Sequence, residues 1–323
     1  MRKLKYYYRI FQAYFSPQKS HLSFWHDIPK ISERLWIGEL GEYYMNFSEK
    51  AAYDGSFDKN GIPLLDYRGT IGKNYNPIAI TQYGLGHYNL YKKTGDKKHL
   101  DIFLDQADWL VINLETNKCG LKVWMHHFDW EYREVLKAPW YSALAQGQGI
   151  SALVRAYLET GQEIYLEATK KAFESFKYEI KEGGVKYTDN EGNVWFEEAI
   201  VNPPTHILNG FIWAIWGVYD YYLTTKDECA LGLFNDSVKT IRANLHRFDL
   251  GFWSLYEQSG TRLKMLASPF YHSLHIVQLK VMHKITNDSV FKAYADRWQQ
   301  YQRNRFFRFR ALIQKIIFKL LYY

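Results

Sequence analysis

The residues best suited to chemistry lie in long polar stretches that are rich in aromatic side chains. In WFEEAIVNPPTHILNGF, residues 195–211, two adjacent glutamates, Glu197 and Glu198, follow a tryptophan and a phenylalanine. A carboxylate beside apolar rings loses part of its hydration, which makes it a better base near neutral pH. One of the two is therefore a candidate acid–base group. The alternative is one exposed glutamate beside one that pairs with a basic group of the loop.

Two further stretches carry similar groups. WMHHFDWEYREVLKAPWYSALAQGQG, residues 124–149, sets tryptophans among histidines and acidic residues. Flat rings stack on sugar faces and polar neighbours bind hydroxyls, so this pattern favours a glycan cleft over a loop that only packs on the core. GFWSLYEQSGTRLKMLASPFYHSLHIVQL, residues 251–279, supplies the candidates Tyr256, Arg262, Tyr271, His272 and His275.

Metal and cofactor chemistry finds little support in the motifs. His272 and His275 share one face of a predicted helix, and His206, placed at the start of another helix, could join them. A metal site needs more ligands at suitable spacing, so inward-facing histidines that bind substrate or each other are the preferred interpretation. The chain lacks a GxSxG motif, a phosphate-binding glycine loop and a dinucleotide fingerprint. We therefore expect neither a metal nor a cofactor.

Composition indicates a large folded core. The chain has 323 residues, of which 47% are hydrophobic and 18% are aromatic. Two cysteines make no disulfide framework, which is typical of a reducing compartment. The sequence shows neither a signal peptide nor a run of apolar residues long enough to span a membrane. These features predict a cytoplasmic protein.

The net charge of +7 comes from the two ends of the chain. Residues 1–25 carry five basic side chains and residues 297–323 carry seven, with no acidic residue in either segment. The rest holds 29 basic against 34 acidic residues, and no nucleic-acid motif is present, so we expect no nucleic-acid partner. The segment RNRFFRFRALIQKIIFKLLYY mixes cations with apolar residues at helical spacing. This favours an amphipathic helix on an anionic membrane over a helix packed on the body.

A repeat predicts the architecture that positions these residues. Four similar segments, YKKTGDKKHL, YLETGQEIYL, YLTTKDECAL and HKITNDSVFK, place threonines at positions 94, 160, 225 and 286. Each segment is typical of a helix end followed by a helix start, with Gly, Lys or Asn after the threonine and then Asp or Gln. A spacing of 66, 65 and 61 residues therefore predicts about four helical hairpins.

We predict a mainly α fold, an incomplete α/α toroid with a small N-terminal β-hairpin region. The expected divisions are a basic segment over 1–25, strands and turns over 26–76, the toroid over 77–296 and a basic amphipathic tail over 297–323. Short aromatic stretches broken by DG, NG and IP suggest the strands. A fold of this class does not by itself establish an activity.

Five long motifs occur in order along the chain: NPIAITQYGLGHYNLY, APWYSALAQGQGISALVRAYLETG, WFEE with HILNGFIWAIWGVYDYY, GFWSLYE and SPFYHSLHIVQL. Together they resemble the C-terminal domain family of D-glucuronyl C5-epimerases, which convert glucuronate to iduronate in heparan-type polymers. The resemblance extends from about Leu40 to Met282 and implies an α/α toroid beside β structure. It also implies cofactor-independent inversion at C5 of a uronate within a glycan.

The resemblance assigns roles by position. It implies that Glu198 and Tyr271 are catalytic and that Tyr256 is a further active-site tyrosine. The residues expected to bind substrate are Glu197, Arg262, His272, His275, Tyr83, Trp140, Tyr141, Gln146 and Asn209. This sequence departs from the animal enzymes, since Ala199 stands where they have a tyrosine and Ser259 where they have an arginine. Most of their large N-terminal β region is also absent.

The residues alone leave other functions open. A polysaccharide lyase starts with the same deprotonation at C5 and then expels the substituent on C4. A toroid glycoside hydrolase would use Glu197 or Glu198 with a second carboxylate, for which Asp129 and Glu131 are candidates. A glycan-binding protein without activity is the remaining alternative. We expect a uronic-acid glycan as the main partner, with an anionic surface at the inner membrane face as a second one.

Overall fold

The structure, a computed structural model, describes residues 24, 28–35, 37–67, 69, 71–132 and 134–322. Ten α-helices are present in these ranges. They are α1 (Ser48–Ala51), α2 (Pro77–Thr94), α3 (Lys97–Ile112), α4 (Ala143–Thr160), α5 (Glu163–Phe173), α6 (Leu208–Thr225), α7 (Glu228–Asn244), α8 (Pro269–Thr286), α9 (Ser289–Arg303) and α10 (Arg305–Tyr322).

Four helical hairpins follow one another along the chain: α2 with α3, α4 with α5, α6 with α7, and α8 with α9. In each, the first helix is largely buried, as its apolar sequence predicts, and the second shows a polar face. The predicted fold class, mainly α with four hairpins of the α/α-toroid type and a small β region, is confirmed.

The repeated threonines end the first helix of every hairpin. Each threonine hydroxyl donates to a carbonyl four residues earlier and accepts the N–H two residues later, at 3.2 Å in all four junctions. The next residue has a left-handed backbone, with φ of 75° at Gly95 and 55° at Asn287. Asp96 and Asp288 then cap the following helices by accepting backbone N–H groups. Local hydrogen bonding thus explains why the repeat is visible in the sequence.

Nine short strands in the described residues form antiparallel pairs in the connections. The first sheet joins β1 (Ser56–Phe57), β2 (Pro63–Asp66) and β3 (Lys73–Asn74), in the region where the sequence predicts strands. Three hairpins that the sequence analysis did not predict occupy the connections before α4 and α6. They pair β4 (Leu114–Thr116) with β5 (Lys122–Trp124), β6 (Trp130–Glu131) with β7 (Val135–Leu136), and β8 (Lys186–Thr188) with β9 (Val194–Phe196).

The chain divides into two compact units. One comprises Ser32–Pro204 and Gly210–Thr240, and the other comprises Met1–Ile31, Thr205–Asn209 and Ile241–Tyr323, within the described ranges. The core of the first unit contains a buried ion pair. Arg155 donates to Asp220 at 2.6 Å, and the hydroxyl of Tyr44 donates to the other oxygen of that carboxylate, also at 2.6 Å. Because both charges are desolvated, losing one partner would leave the other at a high energetic cost.

The second unit contains the tail. Its basic segment begins within α9, which ends at Arg303, and continues as α10. Of the helices that the structure describes, none is both long enough and apolar enough to cross a bilayer. The predicted basic segment over 1–25 lies outside the described residues except for Phe24, which is buried.

Candidate functional site

Glu198 lies between β9 and α6, in the connection that the sequence analysis singles out. Its side chain is half-buried and packs against Gly210, the third residue of α6. A Cβ atom at Gly210 would overlap the side chain of Glu198, which would then have to move. The backbone of the first helical turn lies next to the carboxylate, and a negative charge is favourable at a helix N-terminus. Gly210 is therefore a close neighbour of Glu198 that the sequence analysis did not select.

Glu197, the neighbouring glutamate, is fully buried. Its backbone N–H donates to the carbonyl of Val185 at 2.9 Å, and its carbonyl accepts from Ala143, also at 2.9 Å. These bonds tie the connection to the start of α4 and to the segment before β8. The two glutamates therefore differ in exposure, and burial favours the loop-holding role for Glu197.

The second unit brings Tyr256 and Tyr271 together. Tyr271 is the third residue of α8, where its N–H donates to the capping hydroxyl of Ser268 at 3.3 Å. Its ring meets that of Tyr256 edge to face, with 4.9 Å between the centroids. Both side chains are half-buried. Two of the three predicted catalytic residues are therefore neighbours within one compact unit.

The backbone of Tyr256 is held on both sides. Its N–H donates to the carbonyl of Met265 at 2.9 Å, and its carbonyl accepts from Leu208 at 3.1 Å. Leu255 and Leu266 form a further antiparallel bridge. Residues 255–266 thus form a hairpin-like loop whose two sides are hydrogen-bonded to each other.

Glu257 and Lys315 are two ionisable residues with shifted pKa values that the sequence analysis did not select. Glu257 follows Tyr256 and is fully buried, and burial raises the pKa of its carboxyl to about 7 although Ser259 and Lys315 act in the other direction. Burial also lowers the pKa of the Lys315 ammonium on α10 to about 7. No sequence signal marks the pair, because the two residues lie far apart along the chain.

His272 and His275 occupy the core of the second unit. The ring of His272 stacks on that of Trp253 with 3.9 Å between centroids, and its Nε2 donates to the carbonyl of Trp298 at 3.0 Å. The hydroxyl of Ser254 bridges the Nδ1 atoms of both histidines at 2.8 and 3.0 Å. Burial lowers the pKa of His272 to about 3 and that of His275 well below its ordinary value. Both rings are fully buried, a position that suits packing rather than direct contact with substrate.

A similar stack lies in the first unit, in the connection before α4. The ring of Trp140 stacks on that of His126 at 3.9 Å, and its indole N–H donates to the carbonyl of Phe128 at 2.8 Å. His126 is fully buried, which lowers its pKa to about 3, whereas Trp140 is half-buried. The hydroxyl of the half-buried Tyr141 donates to the carbonyl of Gly183 at 2.8 Å. Trp140 and Tyr141 thus keep partly open faces, as residues of a glycan cleft require.

Other expected substrate-binding residues are buried. Gln146 is fully buried and bonds the N–H of Trp124, two carbonyls and the hydroxyl of Ser175, so its amide joins several elements. Tyr83 is 8% exposed and packs edge to face on His87. Asn209 is 2% exposed, and its carbonyl accepts from Gln278 at 2.9 Å. These three buried side chains stabilise the helices and connections that carry the more exposed candidate residues.

Arg262 and His206 lie in loops. Arg262 is exposed on the 255–266 loop and forms no ion pair with a described residue. The prediction that His206 begins a helix is wrong, because α6 starts at Leu208 and His206 has a left-handed backbone with φ of 51°. In the described part of the chain, no three His, Cys, Asp or Glu side chains are arranged to hold a metal ion. Ala199 is buried next to Glu198, and Ser259 is buried beside Glu257.

Comparison with known proteins matches residues 116–300 to the family model of the D-glucuronyl C5-epimerase C-terminus. Over 220 residues the chain is 33% identical to a D-glucuronyl C5-epimerase of Caenorhabditis elegans, covering 64% of this chain and 35% of that protein. The chain thus spans about a third of the length of this curated relative. It is also 29% identical over 255 residues to an uncharacterized protein of Methanocaldococcus jannaschii, covering 72% of this chain and 81% of that one.

Solved structures with a similar backbone fold are more distant in sequence. An unsaturated glucuronyl hydrolase specific for heparin is 12% identical, with a TM-score of 0.49 over 71% of this chain and 62% of that one. A D-mannose isomerase is 13% identical, with a TM-score of 0.49 over 78% of this chain and 68% of that one. These two structures add nothing about the activity or the substrate.

Proposed function

Because the chain belongs to the D-glucuronyl C5-epimerase C-terminus family, we propose that it inverts C5 of D-glucuronate residues to give L-iduronate within a uronic-acid glycan. The matched region is the observation that carries the proposal, since it spans residues 116–300 and includes Glu198, Tyr256 and Tyr271. The relative from C. elegans is named for the same reaction, as a D-glucuronyl C5-epimerase.

The proposed reaction consists of two proton transfers on opposite faces of the sugar ring. A base removes the C5 proton, and the electron pair is delocalised into the adjacent carboxylate. An acid on the other face then delivers a proton to C5, and no other bond to the sugar is broken. The reaction is redox-neutral and needs no external electron acceptor. We assign the two groups to the carboxylate of Glu198 and the hydroxyl of Tyr271.

The local surroundings of these groups support the assignment. Glu198 is half-buried and seated against Gly210, so it can meet solvent or substrate while being held in place. Tyr271 is also half-buried and is supported by Tyr256, whose ring edge it meets at 4.9 Å. After one turnover the protonated glutamate and the deprotonated tyrosine regain their starting states by exchange with solvent.

The intermediate needs a positive charge near the uronate carboxylate, because two negative charges accumulate there. The exposed Arg262 is the proposed source, since it lies on the same loop as Tyr256 and no described residue pairs with it. We propose a peripheral position at the inner membrane face, where the basic tail would hold the enzyme near a lipid-linked glycan.

Incubation with a glucuronate polymer in heavy water tests the activity. We expect deuterium at C5, the appearance of iduronate and an unchanged chain length. Products that absorb in the ultraviolet and shortened chains would identify a lyase, whereas new reducing ends without unsaturation would identify a hydrolase. Absence of deuterium from every uronic-acid glycan offered would contradict the proposed function.

A further inference from the structure

Helix α10 exposes a continuous apolar stripe. Phe306, Phe309, Ile313, Ile317 and Leu320 are 69%, 52%, 41%, 44% and 66% exposed, respectively. At 3.6 residues per turn, these five side chains fall within about 80° of the helix circumference. Single exposed apolar residues are common on protein surfaces, but a row of five along one helix marks a surface that binds something.

The opposite side of α10 is fixed to its own unit. Ala311, Leu312 and Phe318 are buried. The ammonium of Lys315 donates to the carbonyl of Leu266 at 2.7 Å, and the amide of Gln314 donates to the carbonyl of Lys264 at 3.3 Å. The helix is therefore attached to one side of the 255–266 loop, and the stripe is the side left open.

Charge identifies the partner that fits the stripe. Residues 297–323 carry seven basic side chains and no acidic one. Helical spacing places Arg305 and Arg310 on opposite edges of the stripe, and both are exposed. Apolar side chains bordered by cations match the interface of a bilayer that contains anionic lipids. In a two-fold dimer the stripe would meet its own copy, which would bring two basic helices together without compensating acids.

We propose that α10 is an interfacial helix that seats the protein on an anionic phospholipid bilayer through this stripe. The rings and aliphatic side chains enter the boundary between headgroups and acyl chains, while the arginines contact lipid phosphates. The helix then lies in the plane of the membrane, in agreement with the absence of a spanning segment among the described helices.

The fixed side of the helix gives this docking a consequence for the substrate. Lys315 holds the segment 263–266, and Met265 in that segment accepts the N–H of Tyr256 at 2.9 Å. Docking therefore places the loop of Tyr256 beside the lipid headgroups. This step rests on the proposed function, and it implies a uronic-acid glycan that is carried on a lipid.

Co-sedimentation with vesicles tests the docking surface. The full chain is mixed with vesicles of phosphatidylcholine, either alone or with about a third phosphatidylglycerol, at low and high salt. We expect binding to the anionic vesicles that weakens with salt, and little binding to pure phosphatidylcholine. A double variant, Phe309→Glu with Ile313→Glu, should reduce binding at least ten-fold, because two apolar anchors are lost and two repelled charges are added.

A matched double variant controls for the added charge. Leu158→Glu with Ile164→Glu changes two exposed apolar residues on α4 and α5, and it should bind like the native chain. Thermal unfolding of both variants shows whether each is folded. The proposal would be overturned if the native chain bound neutral vesicles as strongly as anionic ones. It would also be overturned if the control variant lost as much vesicle binding as the stripe variant. A third contradicting result would be a native chain that is a dimer and does not bind vesicles, with a stripe variant that is a monomer.

Turnover separates docking from catalysis. On a soluble glycan the stripe variant should match the native chain, because α10 touches the loop through its other side. On a lipid-linked glycan presented in vesicles, the stripe variant should be the slower of the two. Vesicle binding without any epimerase activity would leave the docking surface intact and contradict only the proposed function. Equal rates on lipid-linked glycan would contradict the inferred substrate.

Discussion

The two regions that carry the proposed acid–base groups are held in different ways. Glu198 is fixed by shape, because it packs against Gly210 of α6, where a Cβ atom would overlap its side chain. Tyr271 and Tyr256 are fixed by contacts: an edge-to-face ring pair, the hydrogen bonds of a loop and the bond from Lys315 on α10 to that loop. Turnover should therefore fall when side-chain volume is added beside Glu198. The region of the two tyrosines should respond instead to changes in pH and to changes in the helix α10 that supports its loop.

The largest expected effect comes from the two neighbouring glutamates. Glu198→Gln should lower turnover by about 10²- to 10⁴-fold, because the amide cannot exchange a proton with C5. Glu197→Gln changes the same atoms in a fully buried residue and should lower stability by about 1–3 kcal/mol with a much smaller effect on turnover. Deuterium incorporation measures the turnover of both variants, and urea unfolding measures their stability. An equal loss of turnover in the two variants would contradict the division of roles.

A smaller effect is expected when the seat of Glu198 is changed. Gly210→Ala adds a Cβ that overlaps the carboxylate, so the side chain must move and turnover should fall by about 10- to 10²-fold. Gly232→Ala on α7 is the matched control, because its Cβ would meet no atom within 4 Å. The control should keep full turnover and gain about 1 kcal/mol of stability from helix propensity. Unchanged turnover in Gly210→Ala would show that the seat does not position Glu198.

The smallest expected effect is a pH dependence in the tyrosine region. Burial raises the pKa of Glu257 from 4.5 to about 7, so the folded chain holds this proton more tightly than the unfolded chain does. Its contribution to stability is complete below pH 4.5 and is lost as the pH rises through 7. Lys315 acts in the other direction: its contribution is complete above pH 10.5 and is lost as the pH falls through 7.

Urea unfolding from pH 4 to 8 measures the contribution of Glu257. The free energy of unfolding of the native chain minus that of Glu257→Gln should fall across this range. Glu191→Gln, a change at an exposed glutamate, should give a flat difference. A flat difference for Glu257→Gln as well would mean that its carboxyl does not titrate in this window.

Local features of the fold could be predicted from the sequence. The four junctions were visible because each depends on residues within four positions of a threonine, including the left-handed residue and, in three of the four, an aspartate cap. The strands before α2 were visible for the same reason, since their turns have local signals. The short hairpins before α4 and α6 lack a strong alternating pattern, and their pairing depends on the surrounding helices.

Features that depend on distant partners could not be predicted. His272 and His275 share a helical face, as the spacing indicates, but the sequence does not show that Trp253, Ser254 and Trp298 enclose them. Glu257 follows Tyr256 in a motif, yet its partner Lys315 belongs to a different helix. Gly210 had one available signal, its position at the start of the helix that follows the two glutamates.

Exchange of the C5 hydrogen, measured separately from glucuronate and from iduronate residues, tests the two-base assignment most directly. In heavy water, each epimer should lose its C5 proton to a different group. Glu198→Gln should then abolish exchange from one epimer and Tyr271→Phe should abolish exchange from the other, while each variant retains exchange from the remaining epimer. If both variants lose exchange from the same epimer, or if either exchanges both epimers at the native rate, Glu198 and Tyr271 are not the two bases.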